Sequence, residues 1–383
     1  MTDRVSDELI KASPASPADT ARTGRFARDE SYRALVWRRL RRSFSGMLGL
    51  VLVCALLVMA LFADFFAPLD PKASYVGFAS PSEISFFDGE GNFSIIPKVY
   101  PIAEGEELDP ITFQPISGPD YDNPIDIGFF VPGYSYQLFW VIPANLHFIG
   151  SRDGRPVHFL GSDKLGRDIL SRAIVGSRIS LTIALVVVAL ATVIGTSIGI
   201  SSGYLGGRYD AWVQRVVDFV LAFPQLPLYL ALTTLIPVTA PSNVFIAFVI
   251  GLLAALGWAQ MSREVRGKTL ALARVEYVRA AIAVGASDRR IIFRHILPNV
   301  LSHVIVAVTI GIPGVVLLES FLGFLGFAVK PPLISWGLML QDTATFSVIG
   351  SYPWILSPVV FVLITVFAFN ALGDGLRDAV DPY

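Results

Sequence analysis

Cysteine is almost missing from this chain. Of 383 residues one, Cys54, carries a thiol, and it lies in an apolar run. An intramolecular disulfide and a cysteine-based metal site are therefore excluded. Histidine is scarce as well. His147, His158, His295 and His303 are scattered singly, without metal-ligand spacing, so structural roles are assigned to them and neither metal nor cofactor is called for. The Gly-x-x-x-x-Gly-Lys-Ser/Thr spacing that cradles phosphates does not occur. Charged residues make up only 16% of the chain against 53% hydrophobic ones, too apolar for an ordinary soluble domain. The net charge of −1 names no partner, because the charges are segregated along the chain.

The apolar residues come in long blocks. A membrane crossing needs roughly 20 of them to pass about 30 Å of hydrocarbon. Residues 1–43 begin with a stretch rich in Ala, Ser, Thr, Pro, Asp and Arg; residues 1–30 are predicted to be disordered. Arg33, Arg38, Arg39, Arg41 and Arg42 stand directly before the first apolar run, 44–66, which places the N-terminus in the cytoplasm by the positive-inside rule. No apolar core follows closely on the start, so a signal peptide is not read there. Residues 67–158 change character. Pro, Gly, Asp, Tyr and Phe are frequent, with turn signals at Asp88-Gly89, Pro132-Gly133 and Asp153-Gly154, and an extracytoplasmic insert with short strands is predicted. It serves as a folded spacer or as a docking surface for an external partner.

Further spans are predicted at about 179–200, 216–236 (with Ala222-Phe223-Pro224 inside), 244–261, 300–327 and 353–372. Gly203, Gly206 and Gly207 are read as a cytoplasmic turn, Pro313 as a kink, Gly311 and Gly314 as close-packing points, and Trp336 and Trp354 as interface anchors. The C-terminal tail, 373–382, ends inside. Two carboxylates fall in or beside spans, Asp218 and Glu319. A carboxylate at mid-bilayer costs on the order of 3 kcal/mol. Its apolar neighbours offset that, so Glu319 is read as an inter-helix hydrogen bond or a cavity edge rather than a proton or cation relay.

The stretch 263–298 is polar and basic: Arg263, Arg266, Lys268, Arg274, Arg279, Arg289, Arg290 and Arg294 outnumber Glu264, Glu276 and Asp288. Val275, Val278, Ile282, Ile291 and Ile292 recur at helical spacing. Two short amphipathic helices broken near Gly285 are predicted, on the cytoplasmic side. On charge alone, a surface helix held by anionic headgroups accounts for the pattern equally well. The sequence Arg279-Ala280-Ala281, then Gly285-Ala286, then Leu297-Pro298, resembles the EAA loop of permease subunits in binding-protein-dependent ABC importers, with Arg279 where the loop's name gives Glu.

A second stretch runs Gly161-Ser162-Asp163-Lys164-Leu165-Gly166-Arg167-Asp168. Ser162 or Asp163 suits an N-cap, and Asp168 and Arg172 stand at the i, i+4 spacing of an ion pair. Its Gly161, Asp163, Gly166, Arg167 and Asp168 resemble the signature ahead of the second span in the dipeptide, oligopeptide and nickel importer permeases. Segments 319–326, 331–337 and the tail fit the same family in order, so the resemblance covers about 159–383; the insert resembles that of a long-loop subgroup. The resemblance implies an all-α integral membrane protein with six transmembrane helices, the type I importer permease fold, and an extracytoplasmic insert after the first. It implies a C-type permease core, 159–383, with 263–298 as the loop that docks on a separate ATPase. Implied partners are a homologous permease, two ATP-binding subunits and an extracytoplasmic solute-binding protein, in a bacterial inner membrane with both termini cytoplasmic. The cargo implied is peptides or related small solutes, and the chain itself is no enzyme. An ion-coupled secondary transporter is the alternative; it calls for intramembrane ion ligands and internal repeats. An enzyme in the insert would need a nucleophile and base pair or a metal cluster, and 67–158 offers neither.

Overall fold

A computed structural model describes residues 32–87, 93–108, 115–139, 141–237, 239–327 and 329–380. The segment 1–30, the turn Asp88-Gly89 and the Asp381-Pro382 end of the tail lie outside the described residues. The chain is mostly helical. Helices α1 (Tyr32–Leu40), α2 (Phe44–Leu61) and α3 (Ala63–Phe66) lead into a strand-bearing segment, after which α4 (Ile169–Leu205) opens a helical core. Among the described residues five helices are long and apolar enough to cross a membrane, or six if one bent pair counts as a single crossing.

That pair is α5 (Gly207–Ala222) and α6 (Gln225–Thr233), bent by 79° at Phe223-Pro224. The sequence reads one straight span over 216–236. Pro224 has no N–H to donate and pushes Phe223 to an extended ψ of 136°, so the helix stops there. The turn before α5 is made by Gly206 and Gly207, both at positive φ, whereas Gly203 lies inside α4. Next come α7 (Ser242–Leu272), α8 (Glu276–Ala283), α9 (Asp288–Ile291), a π turn (Ile292–Ile296) and α10 (Leu297–Phe324). Short helices α11 (Trp336–Leu340) and α12 (Phe346–Ser351) precede α13 (Pro358–Val380).

Glycines set how closely these helices approach. On α4, Gly195, Gly199 and Gly203 recur every fourth residue and face α7. A methyl group on Gly199 would stand 2.6 Å from the Ser262 carbonyl oxygen, and one on Gly195 2.6 Å from that of Trp258. A methyl group on Gly46 of α2 would stand 2.9 Å from Gly375 Cα of α13. Val53, Leu181, Ala184, Val188, Ile312, Val316 and Phe369 fill the space where α2, α4, α10 and α13 meet. Gly314 meets nothing within 4 Å, so its predicted packing role is not seen within the chain. Trp336 is fully buried and donates Nε1–H to the Ala173 carbonyl (2.8 Å); Trp354 donates to Ser162 O (3.2 Å) beneath Gly161. Trp336 is thus interior rather than an interface anchor, while Trp354 is half-buried over its acceptor. Each is held by an internal acceptor that sequence spacing does not display.

The segment between α3 and α4 carries strands β1 (Glu83–Phe87), β2 (Phe93–Tyr100), β3 (Ile102–Leu108), β4 (Pro115–Pro119), β5 (Ile125–Leu138) and β6 (Ile142–Ser151). A four-stranded antiparallel sheet runs β1-β2-β5-β6, and β3 pairs with β4. The strands are longer than predicted. Pro132-Gly133 is no turn but an irregularity inside β5, where pairing with β6 shifts between Pro132 and Tyr136. Gly133 is required there because a Cβ would run into the buried His147 ring. The turn signal at Asp153-Gly154 does mark a turn, with Gly154 at φ +76°.

Candidate functional site

The loop between α7 and α10 is a knob with a buried root and an exposed face. Val278, Ile291 and Ile296 are fully buried against Ile200, Val265, Val300 and Val304, so the knob is rooted on α4, α7 and α10 together. Tyr204 at the end of α4 donates to Asp288 Oδ1 (2.7 Å), and Asn299 of α10 bonds Tyr277 OH (3.2 Å). The outward face carries Tyr277, Ile282, Val284 and Phe293, with Val284 85% exposed. Arg279, Ala280, Gly285 and Pro298 are exposed beside them, while Ala281, Ala286 and Leu297 are half-buried.

Gly285 fixes the shape of the knob. The Gly285 N–H donates to Ile282 O (2.9 Å) and the Ala286 N–H to Ala281 O (3.0 Å), the paired bonds that close a helix on a left-handed residue. Gly285 takes that conformation at φ +82°.

The two predicted short helices are present, but the loop is shorter than 263–298 at both ends. Helix α7 runs on to Leu272, because Arg263 and Arg266 are bound to α5. Arg263 pairs with Asp218, and Arg266 makes a fork on Asp210 with two bonds of 2.6 Å. Those arginines thus belong to a span helix rather than to the knob. At the other end the π turn carries the chain into α10 without a break. Its wider turn accommodates Pro298, which lacks a donor and would crowd the carbonyl four residues back.

The second predicted site lies at the opposite end of α4, about 55 Å away along a 37-residue helix. The structure does not bring Gly161–Asp168 near the knob. Asp163 closes its own turn: its carboxylate accepts from Leu165 N (2.9 Å), Arg167 N (3.0 Å) and Arg167 Nε (2.8 Å). The N-cap of α4 is Asp168, accepting from Ser171 N at 2.8 Å, rather than Ser162 or Asp163. Arg172 does not pair with Asp168. It lies 3.5 Å from Asp163 and donates to Pro71 O (3.3 Å), while Asp168 faces His158 Nδ1 at 3.0 Å. Ser162 donates to Val76 O and accepts from Ala79 N, clasping residues 75–79. Gly161 and Gly166 sit at φ +76° and +73° against Ala79 and Tyr75, where side chains would not fit. This constellation fixes where α4 begins. A cleft beside it is lined by Asp163, Lys164, Arg167, Arg172 and Asp342, with Lys164 and Asp342 paired at 2.7 Å.

Glu319 is fully buried on α10 and accepts from Ser180 Oγ of α4 (3.1 Å); Ser180 in turn accepts from Trp336 N of α11 (3.1 Å). The Glu319 inter-helix hydrogen bond is one of the two roles read from the sequence; the node that Ser180 makes of it with Trp336 is not. Asp218 is exposed and taken up by Arg263. Among the described residues no cluster of His, Cys, Asp or Glu could hold a metal. Sequence reasoning missed the glycine ladder on α4 and the Ser180–Glu319–Trp336 node. The ladder was legible as Gly at every fourth position; the node was not, since its members are 139 and 156 residues apart.

Apolar helices long enough to cross a membrane, with a rooted, outward-facing loop between two of them, define the class of helical membrane proteins. Comparison with known proteins gives the family. Residues 195–383 match the family described as binding-protein-dependent transport system inner membrane component, and residues 31–81 match the N-terminal TM domain of oligopeptide transport permease C. The chain is 42% identical over 226 residues to the oligopeptide transport system permease protein OppC of Haemophilus influenzae, covering 59% of this chain and 70% of that protein. It is 40% identical to OppC of Bacillus subtilis (59% and 72% covered) and 37% identical to the dipeptide transport system permease protein DppC of the same organism (59% and 68%). A chain of the MetNI methionine ABC transporter, in inward-facing form, is similar over 56% of this chain and 98% of its own. At 18% identity and a TM-score of 0.43, that likeness carries no argument.

The chain belongs to the family of inner-membrane permease components of binding-protein-dependent ABC importers. It is a transport subunit and not an enzyme; ATPase and solute-binding chains are its partners by class. The ion-coupled alternative finds no support in these relatives.

Proposed function

We propose that this chain forms half of a translocation pore for peptides or related small solutes, paired with a homologous permease, two ATPases and an external solute-binding protein. The relatives named for oligopeptide and dipeptide transport support the cargo class. The observation that carries the coupling role is the rooted knob. It buries Val278, Ile291 and Ile296 among three span helices while leaving Val284 and Phe293 uncovered, so a pull on its face is delivered to α4, α7 and α10 together. Arg279, Ala280, Ala281, Gly285, Ala286, Leu297 and Pro298 belong to this ATPase-docking surface or its base. Gly161, Asp163, Gly166, Arg167 and Asp168 anchor the other end of α4.

Contacts between helix ends support six crossings with α5 and α6 counted as one. Tyr204 at the end of α4 meets Asp288 of the knob, and Asp210 at the start of α5 meets Arg266 near the end of α7. Gly46 at the start of α2 meets Gly375 near the end of α13. With the arginine-rich lead to α2 inside, the knob and both termini are cytoplasmic and the strand-bearing insert is extracytoplasmic.

The test is a mild-detergent pull-down of the tagged chain from its own membranes, with mass spectrometry of what accompanies it. A second permease and an ATPase are expected. Recovery of the chain alone, with ion-driven uptake in liposomes, would replace this reading with secondary transport.

A further inference from the structure

The insert is divided by charge. From Ile127 to Ser151 the sequence holds no Asp, Glu, Lys or Arg, whereas the preceding stretch carries Glu104, Glu106, Glu107, Asp120 and Asp122. Apart from Asp126 at its start, the ribbon of β5 and β6 is this uncharged part. Its tip is apolar and uncovered: Val141 is 78% and Ile142 54% exposed, with Phe139 also exposed; Phe129 and Phe130 are exposed nearer the other end of the ribbon, where Phe129 pairs with Ile149. An exposed apolar face of this kind, on a sheet otherwise flanked by acidic chain, marks a surface that something apolar covers.

The ribbon's position says what covers it. Phe139 packs edge-on against Phe62 (centroids 5.4 Å apart), and Phe148 lies against Phe65 and Phe66 (6.1 and 5.5 Å). Phe62 caps the end of α2, and Phe65 and Phe66 lie in α3 directly beyond it. Helix α2 has 18 residues, about 27 Å of rise, nearly the hydrocarbon thickness of a bilayer. Its last turn is therefore the membrane boundary. Gln137 and Phe139 of the ribbon share one groove with Leu57, Ala60 and Leu61 of that turn and with Leu181 and Leu185 of α4; its polar members on α4 are Thr182 and Arg178, the latter paired with Asp64. Leu57, Leu61 and Leu185 are exposed apolar residues of spans. The tip thus continues the apolar flank of the spans outward.

We propose that the β5–β6 ribbon is a membrane-interface element, its tip seated in the headgroup and upper acyl layer of the bilayer beside the first span. Aromatic residues are favoured at that depth. The backbone fits it as well. At the tip, pairing of Tyr136 with Ala144 and Leu138 with Ile142 satisfies the inner edges of the ribbon, and headgroup water serves the outer ones. The inference rests on membrane residence of the chain and not on the ATPase docking or the cargo, so it stands or fails separately from those.

The test uses the full chain with Cys54→Ser, carrying Val141→Cys, Ile142→Cys or Asp122→Cys, each labelled with a nitroxide. The chains are held in proteoliposomes of phosphatidylethanolamine and phosphatidylglycerol. Asp122 lies before β5, at the end of that 14-residue strand away from the tip. Accessibility to oxygen, which partitions into lipid, is compared with accessibility to a water-soluble nickel chelate. The ratio at 141 and 142 is expected to be severalfold higher than at 122, with a depth near the phosphates. Nickel access equal to that at 122 overturns the proposal. An immobile label shielded from both reagents also overturns it, in favour of a protein partner on the tip. Two tip positions are used so that misfolding of one variant leaves the other to decide.

Discussion

Gly285→Asp separates docking from folding. The left-handed conformation at φ +82° costs an L residue about 1–2 kcal/mol, and Asp and Asn, which visit that region, stand at the low end. A Cβ there meets nothing within 4 Å, so no clash adds to the cost. The buried root of the knob, Val278 with Ile291 and Ile296, is untouched. The subunit should therefore reach the membrane in near-normal amount. Docking is another matter. If an ATPase covers position 285, an unpaired carboxylate buried there costs about 3–5 kcal/mol. At about 1.4 kcal/mol per decade, that is a loss of at least a hundredfold in affinity. Uptake of labelled peptide by membrane vesicles, immunoblotting of the subunit and co-purification of the ATPase read the three quantities apart. Expected are no uptake, normal subunit level and no ATPase. Gly285→Asn, with the same backbone tolerance and no charge, should keep part of each. Wild-type uptake by Gly285→Asp would refute the docking assignment. A fall in subunit level equal for both variants would reduce the glycine to a folding role.

Gly199→Val should lower the detergent-solubilised melting temperature, because overpacking against Ser262 and Val265 costs about 1–3 kcal/mol, more than helix propensity returns. Gly267→Ala, in the same helix pair but with nothing within 4 Å, is the control and should raise the melting temperature slightly, by the roughly 0.5–1 kcal/mol that alanine gains over glycine inside a helix. Asp168→Ala removes the N-cap of α4 and the partner of His158, a loss of about 1–2 kcal/mol read by the same melting measurement; an unchanged melting temperature would contradict the capping role. Glu319→Gln still accepts from Ser180, so ATP-dependent uptake should persist without new pH dependence, whereas uptake freed from ATP or set by pH would reopen the relay reading.

The legible parts were those written in neighbouring residues. Apolar run length located the spans, and the arginines with Gly285 located the knob and its break. What hid was decided by partners far along the chain. Arg263 and Arg266 look like loop charges until Asp218 and Asp210 claim them for a helix–helix contact. Arg172 has Asp168 at helical spacing, yet Asp168 is bent back to cap α4 and Arg172 turns to Asp163 and Pro71. Trp336 reads as an interface residue by its flanks, and only Ala173, 163 positions earlier, shows it to be interior. Pro224 was visible as a helix stop, but not the 79° bend that follows, after which Tyr229 of α6 packs with Phe245 and Val249 of α7.

Helix α4 has its two attachment sites at opposite ends, with no residue in common between them. Seen historically, that separation makes the two ends independently editable. The stretch 82–194, covered by neither family match, holds the strands together with Gly161–Asp168 and the larger part of α4. A strand-bearing insert can be lengthened, recharged or exchanged without a change in the knob, as long as residues 75–79 still close on Ser162 and Gly166. One motor could in this way be kept while the outward surface diverges.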